Sequence, residues 1–250
     1  MTIEATGSFI PFQAVFNFRE VGGLAAAGGQ VRARTLYRSD TLSRLCDADR
    51  ATFAELGVQT VIDLRRHEEV TSGGRAPDWA APDYHHRHLD HPYWNALDYD
   101  GDRGVARFLA DRYAELARHG AADIAGVISL VAEPESGPVT VHCVAGKDRT
   151  GTVIAFILAL LGVEEEAIAE EYALTELADP AFVAWAKVNI PGFADKPPVP
   201  YYISTPPEAM LLTLREVREA YGSVETLLTR AGLPAGTVER LRAKLVDALP

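Results

Sequence analysis

The stretch from Val139 to Gly151, Val-Thr-Val-His-Cys-Val-Ala-Gly-Lys-Asp-Arg-Thr-Gly, constrains this chain more than any other. Three β-branched residues, Val139, Thr140 and Val141, follow the breaker Ser136-Gly137-Pro138, and an apolar run opens at Gly151 and continues to Leu161. A buried strand, a short loop and a helix N-terminus are therefore expected in succession. The first turn of a helix carries unpaired N–H groups and about half a positive charge, which favours a thiolate at Cys143 and an anion beside it. Five residues separate Cys143 from Arg149, enough to curl the backbone into a cradle with the sulfur at its floor and the guanidinium at its rim. The planar fork of arginine matches two oxygens of a phosphate, and sulfur attacks as the thiolate. Phosphoryl transfer to sulfur is the chemistry this arrangement supports. A Walker A nucleotide loop is excluded, because it needs Ser or Thr where this chain has Asp148 and Gly where it has Val141.

Around this loop the pattern alternates between strand and helix. Leu36–Ser39 reads as a short strand or turn, Thr60–Leu64 as a strand and Tyr84–Leu89 as another. Helices are predicted at Ala48–Leu56, capped by Asp47 and ended by Gly57, at Ala106–His119 with Phe108, Leu109, Tyr113 and Leu116 on one side, and at Ala121–Ala132. Thr150–Leu161 is apolar all round and should be buried. The expected fold class is α/β, a mostly parallel central sheet flanked by helices, with the ligand crevice at the carboxyl ends of the strands. One domain is expected over residues 1–250. Residues 1–45 would supply short strands, around Phe9–Phe18 and Gln30–Arg34, that cover the core edge. Residues 164–250 would form a helical extension or lid on the same domain, with helices at Glu164–Leu177, Pro180–Asn189, Pro206–Tyr221, Val224–Ala231 and from Pro234 or Thr237 to Leu249. The aromatic, acidic and glycyl loop Pro92–Gly104 is a candidate lid, and the proline-rich stretch 191–207 reads as a rigid spacer.

Composition narrows the partners. A chain of 250 residues with 48% hydrophobic content can build a substantial core, and its formal net charge of −11 argues against nucleic acid or an anionic membrane as a general partner. The two cysteines, Cys46 and Cys143, give no disulfide framework, so a reducing compartment is expected. The N-terminus lacks the regions of a cleaved signal peptide, and the longest apolar stretch, Val153–Val163, is too short to span a bilayer. A cytoplasmic protein is the default expectation, with export lacking a cleaved signal left open.

His142-Cys143 followed by five residues and Arg149-Thr150-Gly151 resembles the signature loop of the cysteine-dependent protein tyrosine phosphatase superfamily. Its Gly-Lys-Asp-Arg version is similar to that of bacterial atypical dual- and triple-specificity phosphatases. Three further stretches resemble the bacterial group: Asn17-Phe18-Arg19-Glu20-Val21-Gly22-Gly23, Leu36-Tyr37-Arg38-Ser39-Asp40 and Tyr221-Gly222-Ser223-Val224. The resemblance implies a cofactor-free, metal-independent hydrolysis of phosphate monoesters through a phosphocysteine, on a phosphoprotein or phosphoinositide substrate. Cys143 would be the nucleophile, Arg149 would hold the equatorial oxygens, and the amides of Val144, Ala145, Gly146, Lys147, Asp148 and Arg149 would bind the remainder. By the same resemblance His142 orders the loop and helps keep Cys143 ionised, and Thr150 bonds the sulfur as it departs. Lys147 adds a cation of the kind that phosphoinositide phosphatases of the superfamily often carry.

The leaving oxygen also needs a proton, and three carboxyl groups compete to supply it. Asp90 follows a strand, where related phosphatases commonly place the acid; Asp63 ends the strand before Arg65, with which it can instead pair; Asp148 lies in the loop itself, as a proton carrier or turned into a salt bridge. His85, His86, His88 and His91 crowd one segment, but strand alternation splits them between two faces, so no metal site is expected. Cys46 reads as a buried, inert thiol or a redox partner. Two readings from other classes remain: a catalytically weak phosphate-binding module, and a rhodanese-like sulfurtransferase, against which the Arg-Thr-Gly ending speaks.

Overall fold

Five strands form the central sheet of the computed structural model, which describes residues 8–92, 99, 101–189, 192–194 and 204–248. In spatial order they are β1 (Arg19–Glu20), β4 (Leu36–Ser39), β7 (Val139–His142), β5 (Thr60–Asp63) and β6 (Asp83–His86). β4, β7, β5 and β6 run parallel, and β1 closes one edge antiparallel to β4. Every residue of β4, β5 and β7 is buried, as a parallel sheet covered on both faces requires. The period of two divides these residues cleanly. Leu36, Ile62, Val139 and Val141 enter the larger core, while Tyr37 and Val61 enter a smaller one with Phe18, Leu42 and Phe53.

Helices α3 (Val105–His119), α4 (Ala121–Ala132) and α5 (Asp148–Leu160) cover the larger-core face; α1 (Arg50–Glu55) and an aromatic set around Phe18, Phe53 and Trp79 cover the other. α2 (His67–Gly73) joins β5 toward β6. Ten consecutive or near-consecutive residues of α5, from Thr150 to Leu160, are buried, which accounts for its all-round apolar sequence. The helix starts at Asp148, three residues before Gly151, so Arg149 and Thr150 sit in its first turn. Beyond it lie α6 (Glu165–Ala173), α7 (Asp179–Asn189), α8 (Pro207–Tyr221), α9 (Val224–Arg230) and α10 (Thr237–Leu245). Ile168, Tyr172, Met210, Leu214, Leu228 and Leu241 of this series join the same core as the sheet.

Three expectations from the sequence are corrected. The last helix stops at Leu245, and Val246–Ala248 forms β8, which pairs with β3 (Gly29–Val31); β2 (Ala25–Ala26) completes this small antiparallel sheet. Helical periodicity carries on through Val246, but Arg32 binds Lys244 O at 2.7 Å and Asp247 at 2.6 Å and draws the chain end alongside β3. Gly29 is required there, since a Cβ would lie 1.9 Å from Asp247 O. The strand expected over Tyr84–Leu89 ends at His86, and Leu89 turns into the core. Asp47 is not the cap of the first helix; the Asp49 carboxylate instead accepts the Cys46 amide at 3.0 Å. Of the aromatic loop, Tyr93, Trp94 and their neighbours through residue 98 lie outside the described residues, as does most of the proline-rich spacer, including Tyr201 and Tyr202. No helix of the described residues is long and apolar enough to cross a membrane.

Candidate active site

The parallel register brings Ser39, His142, Asp63 and His86 side by side at the carboxyl ends of four adjacent strands, the position where open α/β sheets form their ligand crevice. Cys143 follows at once and is 2% exposed. The loop after it is shaped by three contacts to successive carbonyls: the Thr41 amide donates to Val144 O at 3.0 Å, Asn17 Nδ2 to Ala145 O at 2.9 Å and the Arg38 guanidinium to Gly146 O at 2.6 Å. In a trans peptide the carbonyl and the next amide point in opposite directions, and the described residues have no cis bonds. Pulling these carbonyls toward β4 therefore turns the amides of Ala145, Gly146 and Lys147 into the concavity closed by Cys143 and Arg149. Gly146 makes the curl possible, with φ of +66° and a missing Cβ that would sit 2.4 Å from Ser39 O. With the N-terminus of α5 opening at Asp148, the loop concentrates positive potential where an anion would lie.

Arg149 reaches across to α2. Its two terminal nitrogens bind the Glu69 carboxylate at 2.6 and 3.0 Å, and Glu69 also accepts the Arg66 amide at 2.6 Å, closing the first turn of α2. Burial opposes the Glu69 charge, but Arg149 outweighs it and holds the carboxyl below its usual range. His142 is fully buried, with Nδ1 3.2 Å from Cys143 O and Nε2 3.6 Å from Asp63. Burial lowers its pKa, so the ring is neutral at neutral pH. Thr150 Oγ1 is buried without a hydrogen-bond partner among the described residues.

The three carboxyl groups have different surroundings. Asp63 is clamped: Arg65 binds it at 2.6 to 3.1 Å through Nε and a terminal nitrogen, its own Arg65 amide adds a bond at 3.0 Å, and Tyr84 donates at 2.7 Å. Burial raises its pKa, but His142, the Arg65 contacts and the Tyr84 hydroxyl together hold it well below the usual carboxylate range. Asp90 is exposed in the irregular stretch after β6, and its amide donates to Asp123 at 2.8 Å. Asp148 stands in the first turn of α5 and accepts the Tyr113 hydroxyl at 2.7 Å; that hydroxyl lies 2.7 Å from the Tyr172 hydroxyl. Lys147 is 2% exposed, with Nζ 3.7 Å from Asp148, so its charge lies beneath the rim rather than at the mouth. Near it, burial pushes the Asp179 carboxyl up to about 7, against Lys147 and with the help of Glu176 and Asp148.

Neither thiol nor histidine cluster forms a second centre. Cys46 is exposed rather than buried. The rings of His86 and His88 both approach His67, at 4.6 and 5.9 Å, and among the described residues no three ligating side chains gather as a metal would require.

Several contributors carry signals that sequence reading left unused. Asn17, Arg19 and Arg38 lie in the stretches that resemble the bacterial group, yet only the fold places them under the loop. Glu69 occupies the third position of α2, where an acid closes back on the helix start. Glu171 interrupts the apolar face formed by Ile168, Ala169 and Tyr172, and an acid among such neighbours signals a buried partner.

The tyrosine phosphatase family model matches residues 10–247. The triple specificity protein phosphatase PtpB of Mycobacterium tuberculosis is 31% identical, over 92% of this chain and 96% of its own. A tyrosine-protein phosphatase of Nostoc commune is 32% identical over 58% of this chain and 49% of its own. Among solved structures, TpbA of P. aeruginosa overlaps 84% of this chain and 95% of its own at 19% identity, with a TM-score of 0.33. A family match of that extent accounts for the strand, cysteine loop and helix start described above: the chain belongs to the tyrosine phosphatase family and is a phosphatase.

Proposed function

We propose that the protein hydrolyses phosphotyrosine through a phosphocysteine at Cys143, with activity also on phosphoinositide and slower turnover of phosphoserine and phosphothreonine. The observation that carries this reading is the loop whose carbonyls are drawn away from the crevice, leaving amides, Arg149 and a helix start around one buried sulfur. The Cys143 thiolate attacks phosphorus in line, the bond to the leaving oxygen breaks, and that oxygen takes a proton from a carboxylic acid. Water then attacks the phosphocysteine, returns a proton to the carboxylate, and releases phosphate and the thiolate. Arg149 and the amides of Val144 to Arg149 stabilise the equatorial oxygens throughout. His142 lies buried beside Asp63 with its Nδ1 against Cys143 O, which supports a role in ordering the loop, and the unpartnered hydroxyl of Thr150 supports its role in easing the departure of sulfur.

Proton transfer is assigned to Asp148. A carboxylate ionised as strongly as Asp63 has no proton to give, and its pairing with Arg65 supports a structural role. Asp148 is carried by the loop itself and held by a neutral hydroxyl rather than a cation-only clamp. Asp90 is the alternative donor, and turnover of poor alkyl against good aryl leaving groups in Asp148→Asn and Asp90→Asn tests both.

The breadth of substrate is supported by similarity to the Mycobacterium relative, a triple specificity protein phosphatase. Lys147 supports it less than its charge implies, because it is buried beside Asp148. A panel of phosphotyrosine, phosphoserine and phosphothreonine peptides with phosphoinositides, run in chelator with wild type and Lys147→Ala, tests the reading. The expected result is turnover of phosphotyrosine fastest, and a similar loss on every substrate in the variant. No turnover of any phosphotyrosine peptide by folded wild type would reject it.

A further inference from the structure

Beneath the loop lies a buried charged group that the reaction as written does not use. Glu171, on α6, accepts Arg19 Nε at 2.8 Å on one carboxylate oxygen and an Arg38 terminal nitrogen at 2.5 Å on the other. Arg19 also donates to Asn17 Oδ1, to Glu171 O at 3.0 Å and to Thr175 at 3.1 Å. Two branches leave this one carboxylate and end on adjacent loop carbonyls. One runs through Arg19 and Asn17 to Ala145 O, and the other through Arg38 to Gly146 O.

All four side chains are essentially inaccessible to water. Burial opposes the charge on Glu171, but Arg19 and Arg38 outweigh it and hold the carboxyl below its usual range. The set is therefore ionised, with two guanidinium charges facing one carboxylate. A buried group of this kind is a poor source of net stability, since an apolar replacement of the same shape often does as well. Its geometry provides something an apolar set does not: donors fixed at two points of a backbone that must keep its carbonyls out of an anion site. Gly151 makes room for it, since a Cβ there would meet Arg38 at 3.4 Å and Tyr172 at 3.0 Å.

We infer that Glu171 is a positioning residue of the phosphate site, acting through Arg38, Arg19 and Asn17 to hold the amides of Gly146 and Lys147 toward the bound oxyanion. The inference rests on the proposed phosphatase reading for the location of that oxyanion. It also gives α6 a function: the C-terminal helical segment supplies the carboxylate on which the catalytic loop depends.

The test is the affinity of orthovanadate and inorganic phosphate, measured by calorimetry on Glu171→Gln, Asn17→Ala and, as control, Thr175→Val, with thermal melting of each. Asn17→Ala cuts one branch without unpairing a buried charge, so it remains informative if Glu171→Gln fails to fold. Thr175→Val removes an Arg19 contact that does not lead to the loop. The expected result is oxyanion binding at least about tenfold weaker in Asn17→Ala, and weaker still in a folded Glu171→Gln, with Thr175→Val destabilised but binding as wild type. Lower melting temperatures with unchanged oxyanion affinity in Asn17→Ala and Glu171→Gln would overturn the inference and leave the group a structural filler. Because the readout is binding, the comparison holds even if wild type turned over no aryl phosphate, in which case the phosphatase reading alone would fail.

Discussion

The two flanks of β7 are both lined with charged side chains but use them differently. On the β4 side, Arg19, Arg38 and Asn17 end on loop carbonyls and set the path of the backbone. On the β5 side, Asp63, Arg65 and Glu69 end on the side chains of His142 and Arg149. One flank shapes where amides point, and the other sets where the reactive side chains stand. Damage to the first should appear as lost oxyanion affinity, and damage to the second as lost orientation or charge state.

The largest contrast is expected at the proton donor. Asp148→Asn should lower turnover of poor alkyl leaving groups by about 10²–10⁴-fold and of good aryl ones far less, because only the former need the proton. Steady-state kinetics over a leaving-group series checks this, and an Asp148 variant that keeps full activity on alkyl phosphates would transfer the role to Asp90. In the same series Asp63→Asn should lose stability instead, since it leaves Arg65 buried and short of its partner.

A smaller effect is expected from Arg149→Lys, which keeps a cation but loses the fork that Glu69 holds. A fall in kcat/KM of about 10²–10³ is expected, in the range seen when one preorganised donor is removed. Glu69→Gln comes next, with about a tenfold loss that falls on kcat/KM through Arg149. If Glu69→Gln instead weakened phosphate binding while Asn17→Ala did not, the division between the two flanks would be reversed.

The smallest effect concerns pH. Asp179 has a carboxyl pKa of about 7 in the folded protein, above its ordinary value, so the folded state holds a proton that the unfolded chain has released. The cost of its burial is absent below the ordinary carboxylate range, grows as pH rises from about 4, and is complete above about 7. Asp179→Asn should therefore raise the melting temperature at pH 8 by a few degrees, given about 2–4 °C per kcal/mol for a chain of this size, and by less at pH 5. Equal shifts at both pH values would show that Asp179 is not titrating in this range.

The site loop and the sheet were legible because each has a strong local signal. Val139–Val141 reads as a buried strand by branching and burial, and the spacing of Cys143 to Arg149 is fixed by the chemistry. β8 was not legible, because the pairing of Val246–Ala248 with Gly29–Val31 depends on residues more than two hundred positions away. The pairing of Asp63 with Arg65 was anticipated from their spacing, whereas the pairing of Glu69 with Arg149 was not, since nothing local in α2 identifies its partner. The burial of Lys147 was equally invisible: a lysine in a loop reads as exposed, and its 2% exposure comes only with the fold.

The most direct measurement is acid quench of the wild-type protein during turnover of a ³²P-labelled aryl phosphate in chelator, followed by mapping of the label. The expected result is phosphate bound to Cys143, accumulating within one turnover and absent from Cys143→Ser. Turnover that continues with no label on Cys143, or that persists in Cys143→Ser, would contradict the phosphocysteine mechanism.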